Sequence, residues 1–230
     1  MNVYIYKCEK CGDTGFIENT MCSCMREALT LAGIENSGFA SLIREQRFDN
    51  FSLDYYKSNP KSYNLMQNHF HYLKDYAENF SPATSKSVLL LGGTGLGKTH
   101  LSSAVARGVI EKGCDVFYTG AIDLFSAFEI DRFKNYAGAS NELIERYFES
   151  DLLIIDDLGT EMINSFSVSV LFNLLNDRLS RKKPTLISTN LLKEDIKNKY
   201  SDRITSRLFG EYQVLQFLGT DIRAQKIRTK

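Results

Sequence analysis

No stretch of the sequence holds the roughly twenty consecutive apolar residues that a membrane-spanning helix needs. The N-terminus shows no apolar h-region of a secretory signal. Both absences lead us to expect a cytoplasmic protein with no membrane partner. Charge of one sign is not in excess either: 28 Lys and Arg stand against 28 Asp and Glu. That balance excludes a globally basic nucleic-acid binder and leaves room only for a local basic face. Internal repeats and low-complexity tracts are missing. Cysteine is scarce and unevenly placed: of five, only Cys114 lies outside YKCEKCGDTGFIENTMCSCM. In a chain without a leader this argues for a reducing compartment, where clustered thiols bind metal more often than they pair. What is present is ordinary, with 43% hydrophobic residues in 230, enough for one good core plus a small satellite.

The chain divides into a cysteine-rich module at 1–27, a connector at 28–60 and a main domain at 61–230. The connector, FASLIREQRFDNFSLDYYKSNP, is irregular, and its aromatics are expected to pack on the main domain. YNLMQNHFHYLKDYAENF has helical spacing at Leu65, Phe70, Leu73 and Ala77, which puts His69 and His71 on the surface. From Ser87 onward, strand-like segments (SVLLLG, CDVFYTG, DLLIIDDLG, PTLISTN, YQVLQFLG) alternate with helical ones. The first of those helices is closed by Gly113, and the last is broken near Ser201. This order predicts an α/β fold, a parallel sheet wrapped by helices on both faces. Cys114 is expected as a small buried residue at a strand start.

GGTGLGKT, Gly92 to Thr99, fits GxxxxGK[ST] between a buried strand and a helix. Such a loop wraps phosphates with backbone N–H groups, and the helix dipole adds to the anion site. Gly92, Gly93, Thr94, Gly95, Leu96, Gly97, Lys98, Thr99 and His100 are the expected nucleotide contacts. Lys98 would reach the β- and γ-phosphates of ATP, and the Thr99 hydroxyl would ligate Mg²⁺. The glycines do not read GxGxxG, so a dinucleotide fold is disfavoured. The apolar run LLIIDDLG ends in two acids. Asp156 is expected to hold Mg²⁺ through water, and Asp157 to orient or deprotonate the attacking water. Glu161 is the alternative base, or simply an exposed loop residue. Asn190, closing LISTN, is either a polar partner for water or γ-phosphate, or a turn residue.

The cysteines form Cys8-x2-Cys11 and Cys22-x-Cys24. Two close pairs can complete a tetrahedral thiolate site suited to structural Zn²⁺, leaving no open position for catalysis. Reduced free thiols, or a ligand from His69 or His71, are the alternatives.

GGTGLGKTHL, LLIIDDLGTE, LISTN, SDRITSRLFG and DIRAQK, taken together and in this order, resemble the AAA+ ATPases of the DnaC/DnaI type, the bacterial replicative helicase loaders; IstB transposition helpers are close relatives. KCEKCGDTGFI, CSC and RFDNFSLDYY resemble the segments preceding the ATPase core in the DnaI-like branch. The resemblance covers essentially the whole chain. It implies a five-stranded sheet of order 5-1-4-3-2 and a helical lid, which must be very small because only about forty residues follow Asn190. It also implies that Asn190 is sensor 1, that Arg207 is an arginine finger reaching a neighbouring subunit's ATP, and that Arg223 is the sensor 2 arginine. Arg203, one turn before Arg207, could face the same partner. Without the resemblance, these arginines read as solvated surface residues.

The implied partners are a hexameric replicative helicase, single-stranded DNA, and further copies of the chain through the finger face. Arg132, Lys134 and the connector aromatics are candidates for DNA. Loaders of this type usually carry a helical segment upstream of the cysteines. This chain begins seven residues before Cys8, as a shortened or trimmed homologue would. An IstB-like helper and a nucleotide-dependent adaptor with negligible turnover are the rival readings. A small-molecule kinase is less expected, for lack of an acceptor-binding insertion.

Overall fold

The computed structural model describes residues 6–134 and 142–228. Its first element is a hairpin of β1 (Phe16–Ile17) and β2 (Thr20–Met21), followed by helix α1 (Ser23–Asn36). The expected boundary at residue 27 falls inside that helix. The connector then folds into α2 (Ala40–Glu45) and two 3-10 turns, Phe48–Asn50 and Asp54–Tyr56. Phe48, Phe51, Leu53, Tyr55 and Tyr56 pack on the main core.

Helix α3 (Pro60–Glu78) starts where Asn59 caps it, accepting from the Lys61 and Ser62 N–H groups, with Pro60 in the first turn. Its buried face is Met66, His69, Leu73, Tyr76 and Ala77. Leu65 and Phe70 are only half-buried. His69 is therefore not a surface residue. It packs against the Phe217 ring at 5.7 Å, and its Nε2 donates to the Gln216 carbonyl at 3.0 Å. His71, two positions on, is exposed as expected.

The core repeats strand then helix: β3 (Val88–Leu91), α4 (Lys98–Glu111), β4 (Val116–Gly120), α5 (Ala121–Lys134), α6 (Glu142–Glu149), β5 (Leu152–Leu158), α7 (Ser165–Ser180) and β6 (Thr185–Thr189). The chain closes with α8 (Lys193–Lys199), α9 (Asp202–Gly210), β7 (Gln213–Gln216) and α10 (Ile222–Arg228). The five long strands make one parallel sheet of order β4-β5-β6-β3-β7. Numbered within the core, that is the 5-1-4-3-2 order. Because alternate side chains leave opposite faces of a strand, Val88, Leu90, Ile154 and Leu186 join α3 and α4 on one side. Leu89, Ile155 and Ile187 join α5, α7 and α9 on the other. Burying each of these leucines and isoleucines contributes about 2 kcal/mol. Ser201 breaks the last long helix by capping α9, its Oγ accepting from the Ile204 N–H. Cys114 is half-buried just ahead of β4.

Burial lowers the His69 pKa, and it lowers His100 likewise. The fold thus favours the neutral rings, while the unfolded chain protonates near the ordinary 6.5. Their contribution is complete above that value and is lost as pH falls below it. The urea midpoint should therefore drop between about pH 7.5 and about pH 5.5, and drop less in His69→Gln. An equal drop in both proteins would show that His69 is not responsible.

Candidate nucleotide site

The glycine loop links β3 to α4 and is shaped by left-handed backbone. Gly97 caps α4 at φ 79°, and a Cβ there would lie 2.8 Å from the Phe51 ring. Gly95 has φ 72°, and a Cβ there would meet the Asp221 carboxylate at 2.0 Å. The loop is therefore roofed by two segments remote in sequence. From the connector, the Tyr56 hydroxyl donates to the Leu96 carbonyl at 2.8 Å, and Phe51 meets His100 edge-on at 5.2 Å. His100 Nε2 donates to the Arg47 carbonyl at 2.9 Å. From the C-terminus, the Ile222 N–H donates to the Gly95 carbonyl at 3.0 Å, while Asp221 accepts from the Arg223 N–H. The sequence places the connector aromatics on the main domain but not over this loop, and it does not point to Asp221.

Between loop and roof lies a cavity of about 500 Å³. Thr94, Gly95, Leu96, Gly97, Lys98, Thr99 and His100 line it, and so do Asp156, Asp157, Asn190 and Arg223. Lys98 is 4% exposed. Its ammonium donates to the Gly92 and Gly93 carbonyls at 2.7 and 2.8 Å and to Asn190 Oδ1 at 2.5 Å. Burial lowers its pKa, opposed by Asp157 and Asp156. Asp156 is 6% exposed, and burial raises its carboxyl pKa while the Ser188 hydroxyl lowers it. Asp157 has φ 55°, and its carboxylate accepts from the Asn190 amide at 3.5 Å. The set combines a buried cation, an anion-binding helix end and two acids at one cavity, chemistry that suits a Mg²⁺–triphosphate.

Some expected residues stand apart. Glu161 is not an exposed loop residue. It is half-buried and accepts from the Gly159 N–H at 2.8 Å and from the Tyr200 hydroxyl, which holds it away from the cavity. Arg203 and Arg207 are exposed on α9 and do not line the cavity. Among the described residues neither forms an ion pair. Arg132 is exposed, 5.3 Å above the Phe166 ring, whereas the Lys134 side chain lies outside the described residues.

The four N-terminal sulfurs all lie within 4.8 Å of one another. Cys8 and Cys22 are 3.8 Å apart, and Cys11 and Cys24 3.5 Å. A tetrahedral Zn²⁺ with bonds of about 2.3 Å sets its sulfurs about 3.8 Å apart, so the cluster fits that ion. The Cys24 backbone N–H lowers Cys22 to about 7, and hydrogen bonding with Cys11 pushes Cys24 to about 12. Asp13 braces the turn by accepting from the Lys7 and Cys8 N–H groups. Neither His69 nor His71 belongs to the cluster.

No described helix is long and apolar enough to cross a membrane. Comparison with known proteins places the rest. The replicative helicase loader DnaC of Escherichia coli K12 is 27% identical over 135 residues, 59% of this chain and 54% of that one. The chain thus spans about half the length of the curated relatives it matches. A putative insertion sequence ATP-binding protein of Sinorhizobium fredii is 32% identical over 100 residues, 44% of this chain and 33% of that one. A crystal structure of the DnaC helicase loader superposes with a TM-score of 0.65 at 20% identity, covering 76% of this chain and 98% of the other, and shares the P-loop AAA+ fold. A family profile described as IstB-like ATP binding protein matches residues 71–228. The chain belongs to the family of IstB-like ATP-binding proteins.

Proposed function

We propose that the chain hydrolyses ATP and uses the cycle to deliver a hexameric replicative helicase to single-stranded DNA. The observation that supports ATP hydrolysis is the meeting of Lys98, Asp156, Asp157, Asn190 and Arg223 at one cavity beneath the α4 N-terminus, and the similarity to the helicase loader DnaC supports helicase delivery. Lys98 and the N–H groups from Gly93 to Thr99 hold the β- and γ-phosphates. Thr99 and Asp156 hold Mg²⁺, which would neutralise charge building on the phosphates. Asp157 orients the attacking water, and Asn190 steadies that water or the γ-phosphate. Arg223 serves ATP from its own chain. Arg207, exposed and outside its own cavity, serves the ATP of a neighbouring copy, so the site is complete only in an assembly. Residues 1–27 act as a Zn²⁺-pinned module ahead of the connector (28–60) and the ATPase domain (61–230).

Arg207→Ala tests the assembly. It should bind ATP within about twofold of wild type and lose assembly-stimulated hydrolysis by about 1,000-fold, the worth of a finger supplied in trans. Equal stimulated rates in the two proteins would remove the role. Helicase delivery is tested by co-purification with the replicative helicase, with and without ATP. The similarity to an insertion sequence ATP-binding protein supports a second reading, a transposition helper. Retention by a transposase and not by the helicase would favour it.

A further inference from the structure

We infer that Ser188 is a positioning residue for both acids of the nucleotide site, an inference that rests on the ATPase reading and deepens it. β5 and β6 run in register through Ile155↔Ile187, and the next pair is Leu158↔Thr189. Two residues of β5, Asp156 and Asp157, therefore lie across from one residue of β6, Ser188. Two against one is a β-bulge, uncommon between parallel strands, and bulges re-aim side chains beside active sites. A bulge also interrupts the ladder and leaves a backbone group in need of a partner. Asp157 carries the distortion, with its backbone in the left-handed region at φ 55°.

Ser188 supplies what the ladder lacks. Its Oγ accepts the Asp157 N–H at 2.9 Å, and its hydroxyl proton goes to Asp156 Oδ1. The residue is fully buried, so water does not compete for either bond. One hydroxyl thus holds the backbone of one acid and the carboxylate of the other. Asn190, two residues after Ser188 and just past the end of β6, then meets Asp157 and Lys98. The strand that carries Ser188 therefore sets the acid pair in register with the loop lysine. Serine suits the position because a single hydroxyl donates and accepts at once. Alanine does neither, and cysteine has nearly the same size but is a weak donor. The reach to Asp156 is that of an outer-shell partner to the proposed Mg²⁺ carboxylate, whose loss commonly costs 10–100-fold in metal affinity or activity.

The test compares wild type, Ser188→Ala, Ser188→Cys and Ser37→Ala. Ser37 is a buried control whose hydroxyl donates to the Ile34 carbonyl at 2.6 Å, with no contact to the acids. In protein without ligand, the Asp157 amide of Ser188→Ala should exchange with deuterium roughly tenfold faster, while the amides of Ile154 and Ile187 stay protected. Mn²⁺ binding, read by its free-ion magnetic resonance in the presence of a non-hydrolysable ATP analogue, should weaken by about tenfold or more. Affinity for the analogue without metal should change by less than about twofold, and kcat should fall with KM for ATP nearly unchanged. Ser37→Ala should lower the melting temperature and leave all of these alone. If Ser188→Ala melts below the assay temperature, Ser188→Cys is read in the same way. A Ser188 variant that keeps wild-type Mn²⁺ binding and a protected Asp157 amide overturns the role of Ser188 alone. Wild-type protein that takes up neither the analogue nor Mn²⁺ overturns the ATPase reading beneath it.

Discussion

Replacing Lys98 with alanine is expected to lower ATP turnover by at least about 1,000-fold and to remove most of the affinity for ATP. The effect is large because of where the cation sits. Its ammonium is almost fully buried and donates to three oxygens, one of them Asn190 Oδ1. The charges of Asp157 and Asp156 oppose the effect of burial on it. Truncation removes the buried cation that lies with both acids at the phosphate loop. It leaves Asp156, already raised by burial, with less reason to ionise. A solvated cation outside the cavity would compensate little, because it acts through a much higher dielectric. Phosphate release at saturating ATP measures turnover, and a fluorescent nucleotide measures binding. Hydrolysis by Lys98→Ala at more than about one tenth of the wild-type rate would refute the assignment of this lysine.

Loss of the proposed Zn²⁺ is expected to give the second large effect. The cysteine module has almost no core of its own: its two strands are two residues each, and Phe16, Ile17 and Met21 are exposed. Cys22 is the one buried side chain before Ile34 among the described residues. A structural Zn²⁺ site is worth about 10–16 kcal/mol of folding in small peptides of this kind, far more than these residues gain by packing. Purified protein should contain one Zn²⁺ per chain by elemental analysis. The double variant Cys8→Ser with Cys11→Ser, or prolonged chelation, should unfold residues up to β2, seen as collapse of their amide resonances. ATP hydrolysis by the core should stay within about twofold, because the module does not line the cavity. A hairpin that persists without metal would refute the zinc assignment.

How much of this could be read beforehand differs from residue to residue. The loop Gly92–Thr99 was legible because its spacing, a strand before it and a helix after it are all local. The acid pair was legible because a run as apolar as LLII belongs only to a strand buried on both faces. His69 was misplaced because a helical stripe shifted by one residue looks almost as good: Leu65 and Phe70 compete with Met66 and His69 for the inner face, and packing against Phe217 decides it. Glu161 looked like an exposed loop acid because its partner, Tyr200, comes from the end of a helix distant in sequence. Ser188 went unnoticed beside Thr189 and Asn190, since its importance depends on a register break between two strands.

Sequence alone determined the phosphate loop, the order of strands and helices along the chain, the acid pair and the presence of two close cysteine pairs, Cys8 with Cys11 and Cys22 with Cys24. Each of these is set by neighbours whose spacing dictates backbone shape. Tertiary structure alone decided that the connector and Asp221 roof the loop, that Ser188 ties the two acids, and that the four sulfurs gather in one cluster. Those depend on register and packing between segments far apart in the chain, where a one-residue shift changes which side chains meet and leaves no trace in local spacing.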